Sequence, residues 1–181
     1  MLRRGMLSAT ALLALTLTGL SAGPATAQGA QGAQPVSDAA PAVVLHTVKD
    51  PNLVVDLDHG NPAQGTPVIL FGAHGGANQQ WEVVPVQGDW FQLRNKASGT
   101  CLVNGFHSVE NGHGLTGSGC NKSYADQLWT RVPVEGGNQF TLVNKYSGKC
   151  MDQTLDGRSM TPVTQWSCHG LVHQRFTAET V

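Results

Sequence analysis

Gln79-Gln80-Trp81, Gln127-Leu128-Trp129 and Gln174-Arg175-Phe176 are one triplet, glutamine then any residue then an aromatic, set down three times, with the aromatic recurring after 48 and then 47 residues. A period of that length in strand-forming, turn-rich sequence marks one supersecondary unit tripled, and no single copy of such a unit buries its apolar face alone. Structure and chemistry therefore have to be read copy by copy.

The copies also agree outside the triplets. Copy two opens Phe91-Gln92-Leu93 and then Asn95-Lys96-Ala97-Ser98-Gly99-Thr100-Cys101, and copy three opens Phe140-Thr141-Leu142 and then Asn144-Lys145-Tyr146-Ser147-Gly148-Lys149-Cys150. Apolar residues alternating into an Asn-x-x-Ser-Gly turn give the period-two signature of a strand entering a hairpin. Copy one is degenerate, with Val43 and Leu45 on the strand and Asp50-Pro51-Asn52 as the turn, while Val84-Pro85-Val86 and Val132-Pro133-Val134 repeat after the first two triplets. No segment longer than about ten residues carries a 3.6-residue apolar period, which predicts an all-β domain of four short strands per copy. The copies run over about 42–89, 90–137 and 138–181. Three four-stranded units sharing one core predict a closed pseudo-threefold barrel capped by three hairpins, and closure removes exposed sheet edges.

The residues before the repeats read differently. Arg3 and Arg4 precede an apolar run from Met6 to Leu20 and a small-x-small site at Ala25-Thr26-Ala27, so residues 1–27 are expected to be a secretory signal peptide. Residues 28–41, rich in Gln, Gly, Ala and Pro, read as a flexible leader to the domain at 42–181. The expected location is therefore extracellular, with no membrane insertion and no further domain. Beyond Arg3 and Arg4, 9 basic residues face 12 acidic ones, a net charge of −3, which argues against nucleic acid or an anionic membrane as partner.

Four cysteines in an exported chain imply two disulfides, of three formal connectivities. Cys101 and Cys150 share one register position, Cys120 and Cys168 share another, and copy one has Val54 and Ala73 at these two places. Both cysteines are missing together in copy one, which favours Cys101–Cys120 and Cys150–Cys168, each worth roughly 3 kcal/mol in the chain-entropy account.

Three Gln-x-aromatic triplets in register, with Gly148-Lys149-Cys150-Met151-Asp152 opening a hairpin, resemble the ricin B-type lectin β-trefoil, a family-13-like carbohydrate-binding module, across residues 42–181. The resemblance implies a β-trefoil with a sugar pocket per repeat. Its parts are the Asp after the hairpin cysteine position, an aromatic about 14 residues on and an Asn or similar residue before the triplet's Gln. The chemistry suits a neutral sugar, whose hydroxyls take paired hydrogen bonds while its C–H face lies on a ring.

On that pattern repeat one offers Asp56, Phe71 and Asn78, with Gln79 supporting the carboxylate, and Phe71 stands where a larger ring is usual. Repeat three offers Asp152, Trp166, His173 and Gln174, with His173 in the Asn position. Repeat two has Val103 for the carboxylate and Ser118 for the aromatic, and is expected to be structural. Trp81, Trp129 and Phe176, on apolar closing strands, are expected in the core, whereas Asp56 and Asp152 have the plainer alternative of capping turns. Cys168, His169 and His173 invite a zinc reading, but Cys168 is committed to a disulfide and has no CxxC companion, so neither metal nor cofactor is expected.

An enzyme would need a nucleophile with its base, or a carboxylate pair at glycosidase spacing. The serines sit in Ser-Gly turns, no Gly-x-Ser-x-Gly occurs, and Asp56 and Asp58 are the nearest acidic pair. The reading is a secreted, monomeric, non-enzymatic lectin-like protein that binds galactose-, xylan- or arabinan-type glycans weakly and multivalently through repeats one and three. The competing reading is a secreted interaction or inhibitor trefoil that has lost sugar binding.

Overall fold

A computed structural model describes residues 40–154 and 157–181, so the expected signal peptide and nearly all of the leader lie outside the described residues. Twelve strands alternate with short turns. Repeat one holds β1 (Ala42–Thr47), β2 (Leu53–Leu57), β3 (Thr66–Gly72) and β4 (Trp81–Gln87). Repeat two holds β5 (Trp90–Asn95), β6 (Cys101–Val103), β7 (Thr116–Ser118) and β8 (Trp129–Pro133), and repeat three holds β9 (Phe140–Asn144), β10 (Cys150–Gln153), β11 (Val163–Trp166) and β12 (Phe176–Thr180). No α-helix occurs among the described residues, and none of their helices is long and apolar enough to cross a membrane.

The first and fourth strands of each repeat close a six-stranded barrel. β1 pairs with β4, β4 with β5, β5 with β8, β8 with β9, β9 with β12, and β12 with β1, all antiparallel. The second and third strands form hairpins β2–β3, β6–β7 and β10–β11 that cap it. This is the β-trefoil, with four strands from each repeat. Pro85 and Pro133 lie exposed on barrel strands, and β4 carries a register irregularity between Pro85 and Gln87, where a missing N–H is tolerated.

The core is assembled at the pseudo-threefold axis. Trp81, Trp129 and Phe176 are fully buried and packed with Leu45, Leu93, Leu142 and the inward residues of the hairpins. Both core tryptophan nitrogens are satisfied, Trp81 Nε1 donating to the Val55 carbonyl at 2.9 Å and Trp129 Nε1 to that of Leu102 at 3.2 Å. Repeat three has Phe176 and no such donor.

The triplet glutamines are buried as deeply, and they organise the backbone. Gln79, Gln127 and Gln174 each end a single-turn 3-10 helix, at Ala77–Gln79, Ala125–Gln127 and Val172–Gln174. Their Oε1 atoms accept from the N–H groups of His74, Asn121 and His169 at 2.9, 2.8 and 3.0 Å. Their Nε2 atoms donate to the carbonyls of Gly72, Gly119 and Ser167 at 2.9, 2.8 and 3.1 Å. One side chain thus pins the loop leaving each hairpin. The turn asparagines tie repeat to repeat, with Asn95 Nδ2 donating to the Asn78 carbonyl and Asn144 Nδ2 to that of Asp126, both at 2.8 Å.

The disulfides are Cys101–Cys120 and Cys150–Cys168, with Cα separations of 5.0 and 5.1 Å. The pairing expected from the joint absence in repeat one is the one found.

Replacing Gln127 with Ala removes this brace in the repeat that lacks a carboxylate, leaving the Gly119 carbonyl, the Asn121 N–H and the buried Gln92 amide without their partner. We expect a loss of about 1–3 kcal/mol in urea unfolding.

Candidate functional site

The three hairpins share one register, and this decides which residues meet. Asp56 lies opposite Ile69 with Val54 opposite Phe71, Val103 opposite Thr116 with Cys101 opposite Ser118, and Asp152 opposite Thr164 with Cys150 opposite Trp166. Side chains two apart on a strand share a face. The expected acid and aromatic positions therefore stand on one side of each hairpin.

In repeat one, Asp56 and Phe71 border a cleft of about 300 Å³ together with His74, Asn78 and Asp58. Asn78 Nδ2 donates to both Asp56 oxygens, at 2.9 and 3.0 Å, and Gln79 Nε2 donates to Oδ2 at 2.9 Å. The carboxylate is buried and gripped from behind, so its orientation is set before any ligand arrives. The rim includes Met160, from repeat three.

Repeat three has the larger cleft, about 650 Å³, bordered by Asp152, Thr164, Trp166, His169, Leu171 and His173. Gln174 Nε2 donates to Asp152 Oδ2 at 2.8 Å. Trp166 is 43% exposed, a large ring open to the cleft. Repeat two supports it: Gly112 N donates to the Gln165 carbonyl at 2.8 Å, and Asn111 Oδ1 accepts from Ser167 N at 2.9 Å. Gly112 lies at φ +77°, and a Cβ there would sit 3.3 Å from the Trp166 ring, so glycine suits this position twice over.

Repeat two presents no such pair. Val103 and Ser118 are both buried. Asp126, in the position of Asn78 and His173, is buried too, with Oδ2 3.5 Å from His107 Nδ1 and no hydrogen-bond partner for Oδ1 among the described residues.

Two residues that the sequence reading did not assign, His74 and His169, belong to the clefts. Each follows its ring by three positions, and each has Nε2 3.6 Å from Oδ2 of its aspartate. Each also accepts a backbone N–H on Nδ1, from Gly76 at 3.1 Å and from Leu171 at 3.2 Å. Asn121 makes the same turn in repeat two, its Oδ1 accepting Ser123 N at 2.9 Å. The matching offset from Phe71 and Trp166 is the signal that points to them.

Burial pushes the Asp56 carboxyl above its ordinary 3.8, and the hydrogen bonds from Gln79 and Asn78, then the nearby His74, offset part of that rise. Asp152 is likewise raised by burial, opposed by the Gln174 hydrogen bond and by His173 and His169.

A family model described as "Ricin-type beta-trefoil lectin domain-like" matches residues 37–118, 77–166 and 125–181. Among solved structures, the chain is similar to the designed threefold-symmetric protein ThreeFoil, with 24% identity and TM-score 0.72, covering 76% of this chain and 96% of that one. It is similar to the agglutinin of Rhizoctonia solani, with 24% identity and TM-score 0.69, covering 82% of this chain and 100% of that one. It is also similar to a ricin B-like lectin from Macrolepiota procera in complex with lactose, with 23% identity and TM-score 0.65, covering 79% of this chain and 97% of that one. At such identities the likeness is one of fold. No curated protein sequence matches the chain.

Carboxyl carbon shifts followed by NMR across an acid titration test the electrostatics of repeat one directly. The Asp56 midpoint should lie above 3.8, and Asn78→Ala should move it higher still by removing donors that favour the ionised form. A midpoint unmoved by Asn78→Ala would contradict the contacts described.

Proposed function

The chain belongs to the ricin-type β-trefoil lectin domain-like family, and we propose that it is a secreted, monomeric, non-enzymatic carbohydrate-binding protein that engages galactose-, xylan- or arabinan-type glycans through repeats one and three. The observation that carries this reading is the gripped carboxylate beside a ring on one hairpin face, present in those two repeats. Asp56 and Asp152 each accept from the triplet glutamine, at 2.9 and 2.8 Å, with Phe71 and Trp166 bordering the same clefts. A carboxylate fixed in this way takes adjacent sugar hydroxyls, while the ring offers an apolar face to the sugar's C–H groups. The lactose bound by the Macrolepiota procera lectin supports a galactose-type ligand.

Two disulfides support an oxidising destination, in keeping with residues 1–27 as an export signal followed by a leader over 28–41. The clefts are open, so each sugar keeps much of its contact with water and single-site affinity is on the order of millimolar. Two sites on one domain then gain on a polymer by effective concentration.

Affinity electrophoresis in polysaccharide gels and a glycan array test the proposal. Asp152→Ala and Trp166→Ala should remove one class of binding, and Asp56→Ala and Phe71→Ala the other, each change weakening its site by roughly 1–3 kcal/mol. The double variant Asp56→Ala plus Asp152→Ala should migrate unretarded while folded, and Val103→Ala should be retarded like the parent. Full retardation of the folded double variant, or a blank array for the parent, would sink the proposal in favour of an interaction or inhibitor trefoil.

A further inference from the structure

In repeat three His173 stands where repeat one has Asn78, and this exchange changes what the cleft can hold. Asp152 Oδ2 lies 3.6 Å from His169 Nε2 and 3.8 Å from His173 Nε2, and the two imidazole nitrogens lie 3.2 Å apart. A point equidistant from the three atoms is about 2 Å from each, the bond length of zinc to imidazole nitrogen and carboxylate oxygen. We infer that Asp152, His169 and His173 form a binding site for a zinc-class divalent transition metal, with the remaining coordination positions open to the cleft. Two imidazoles and one carboxylate favour zinc, copper or nickel over calcium and magnesium, which take oxygen sets.

Repeat one supplies the contrast. It has the same aspartate and the same first histidine, but Asn78 stands in the place of His173 and donates to both oxygens of Asp56. An amide donor there satisfies the carboxylate without a cation. In repeat three both imidazoles stand beyond hydrogen-bond reach of Asp152 Oδ2, and among the described residues Gln174 is its one side-chain donor. The two imidazoles hydrogen-bond each other at 3.2 Å while both stand too far from the carboxylate for a direct bond, and a divalent ion at the common centre would replace that imidazole pair and bridge it to Asp152.

One outer contact favours ligation and another must be exchanged for it. Gln174 orients the carboxylate by donating to Oδ2 at 2.8 Å, as outer-shell partners do at metal sites. His169 Nδ1 accepts Leu171 N at 3.2 Å, which places the ring proton on Nε2 in the free protein. Ligation moves that proton to Nδ1 and releases the Leu171 N–H, and Leu171 is 57% exposed, so water takes the vacated role. Sequence alone sets His169 and His173 beside Cys168, whereas the fold joins them to Asp152 and leaves Cys168 in its disulfide.

The test is calorimetric titration of the chelator-stripped full chain with zinc chloride, with visible absorption of added cobalt(II) as a second readout. The parent should take up one equivalent at this site. His173→Asn, which recreates the residue already folded at Asn78, should weaken uptake by about 100-fold or more, beyond the range for loss of an outer-shell partner. His74→Ala in repeat one should leave uptake unchanged. Long-range nitrogen–proton spectra of the parent should show zinc shifting His169 and His173 and no other histidine ring, an outcome that does not depend on any variant folding. No uptake by the parent, shifts confined to other histidines, or undiminished uptake by folded His173→Asn would overturn the inference. None of these readouts involves glycan, so the site stands or falls independently of the lectin reading.

Discussion

The structure depends on a polar side chain placed where apolar ones are expected. Each triplet glutamine is almost fully buried, and an unsatisfied buried amide is expensive, so its donors and acceptor must all be met. The acceptor and one donor are met by the backbone: the loop leaving the hairpin wraps each glutamine, in the same arrangement three times. The aromatic two residues later points into the shared core, so one triplet fixes both a loop and a barrel strand. The second amide proton of Gln79 and Gln174 then reaches an aspartate, and the device that holds the fold also aims the carboxylate.

This coupling explains why so much was legible in one dimension. The triplets recur because a buried glutamine and a core aromatic tolerate little change, and period-two alternation such as Phe91-x-Leu93 and Phe140-x-Leu142 marks strands whose alternate residues enter the core. The disulfide pairing followed from register alone, since Val54 and Ala73 replace both members together. The acid and ring positions were legible for the same reason, because a shared hairpin register carries them to the same face in each repeat.

What sequence did not yield are contacts made across repeats or by residues of ambiguous type. Met160 borders the cleft of repeat one and Gly112 meets the ring of repeat three, through loops of different lengths that no internal alignment pairs. His74 was not assigned and His169 was weighed only beside Cys168, because the turn they make is made equally by Asn121 with its amide oxygen and so does not mark a cleft residue. The cluster of His169 and His173 with Asp152 was not legible in one dimension because the chain sets the two histidines beside Cys168, whereas Asp152 arrives from β10.

Repeat two shows how far fold and site are separable. With Val103 in the acid position and Ser118 in the ring position, Gln127 still accepts Asn121 N and still donates to Gly119 O, and Trp129 is as deeply buried as Trp81. The two backbone bonds of the brace are therefore kept without the aspartate, and a buried carboxylate, whose desolvation raises its pKa, is an addition those bonds do not need. Structural necessity alone does not account for Asp56 and Asp152 beside open clefts. Because each repeat retains its own brace, a cleft can change one residue, as from Asn78 to His173, and so acquire different chemistry while its neighbours and the common core stay as they are.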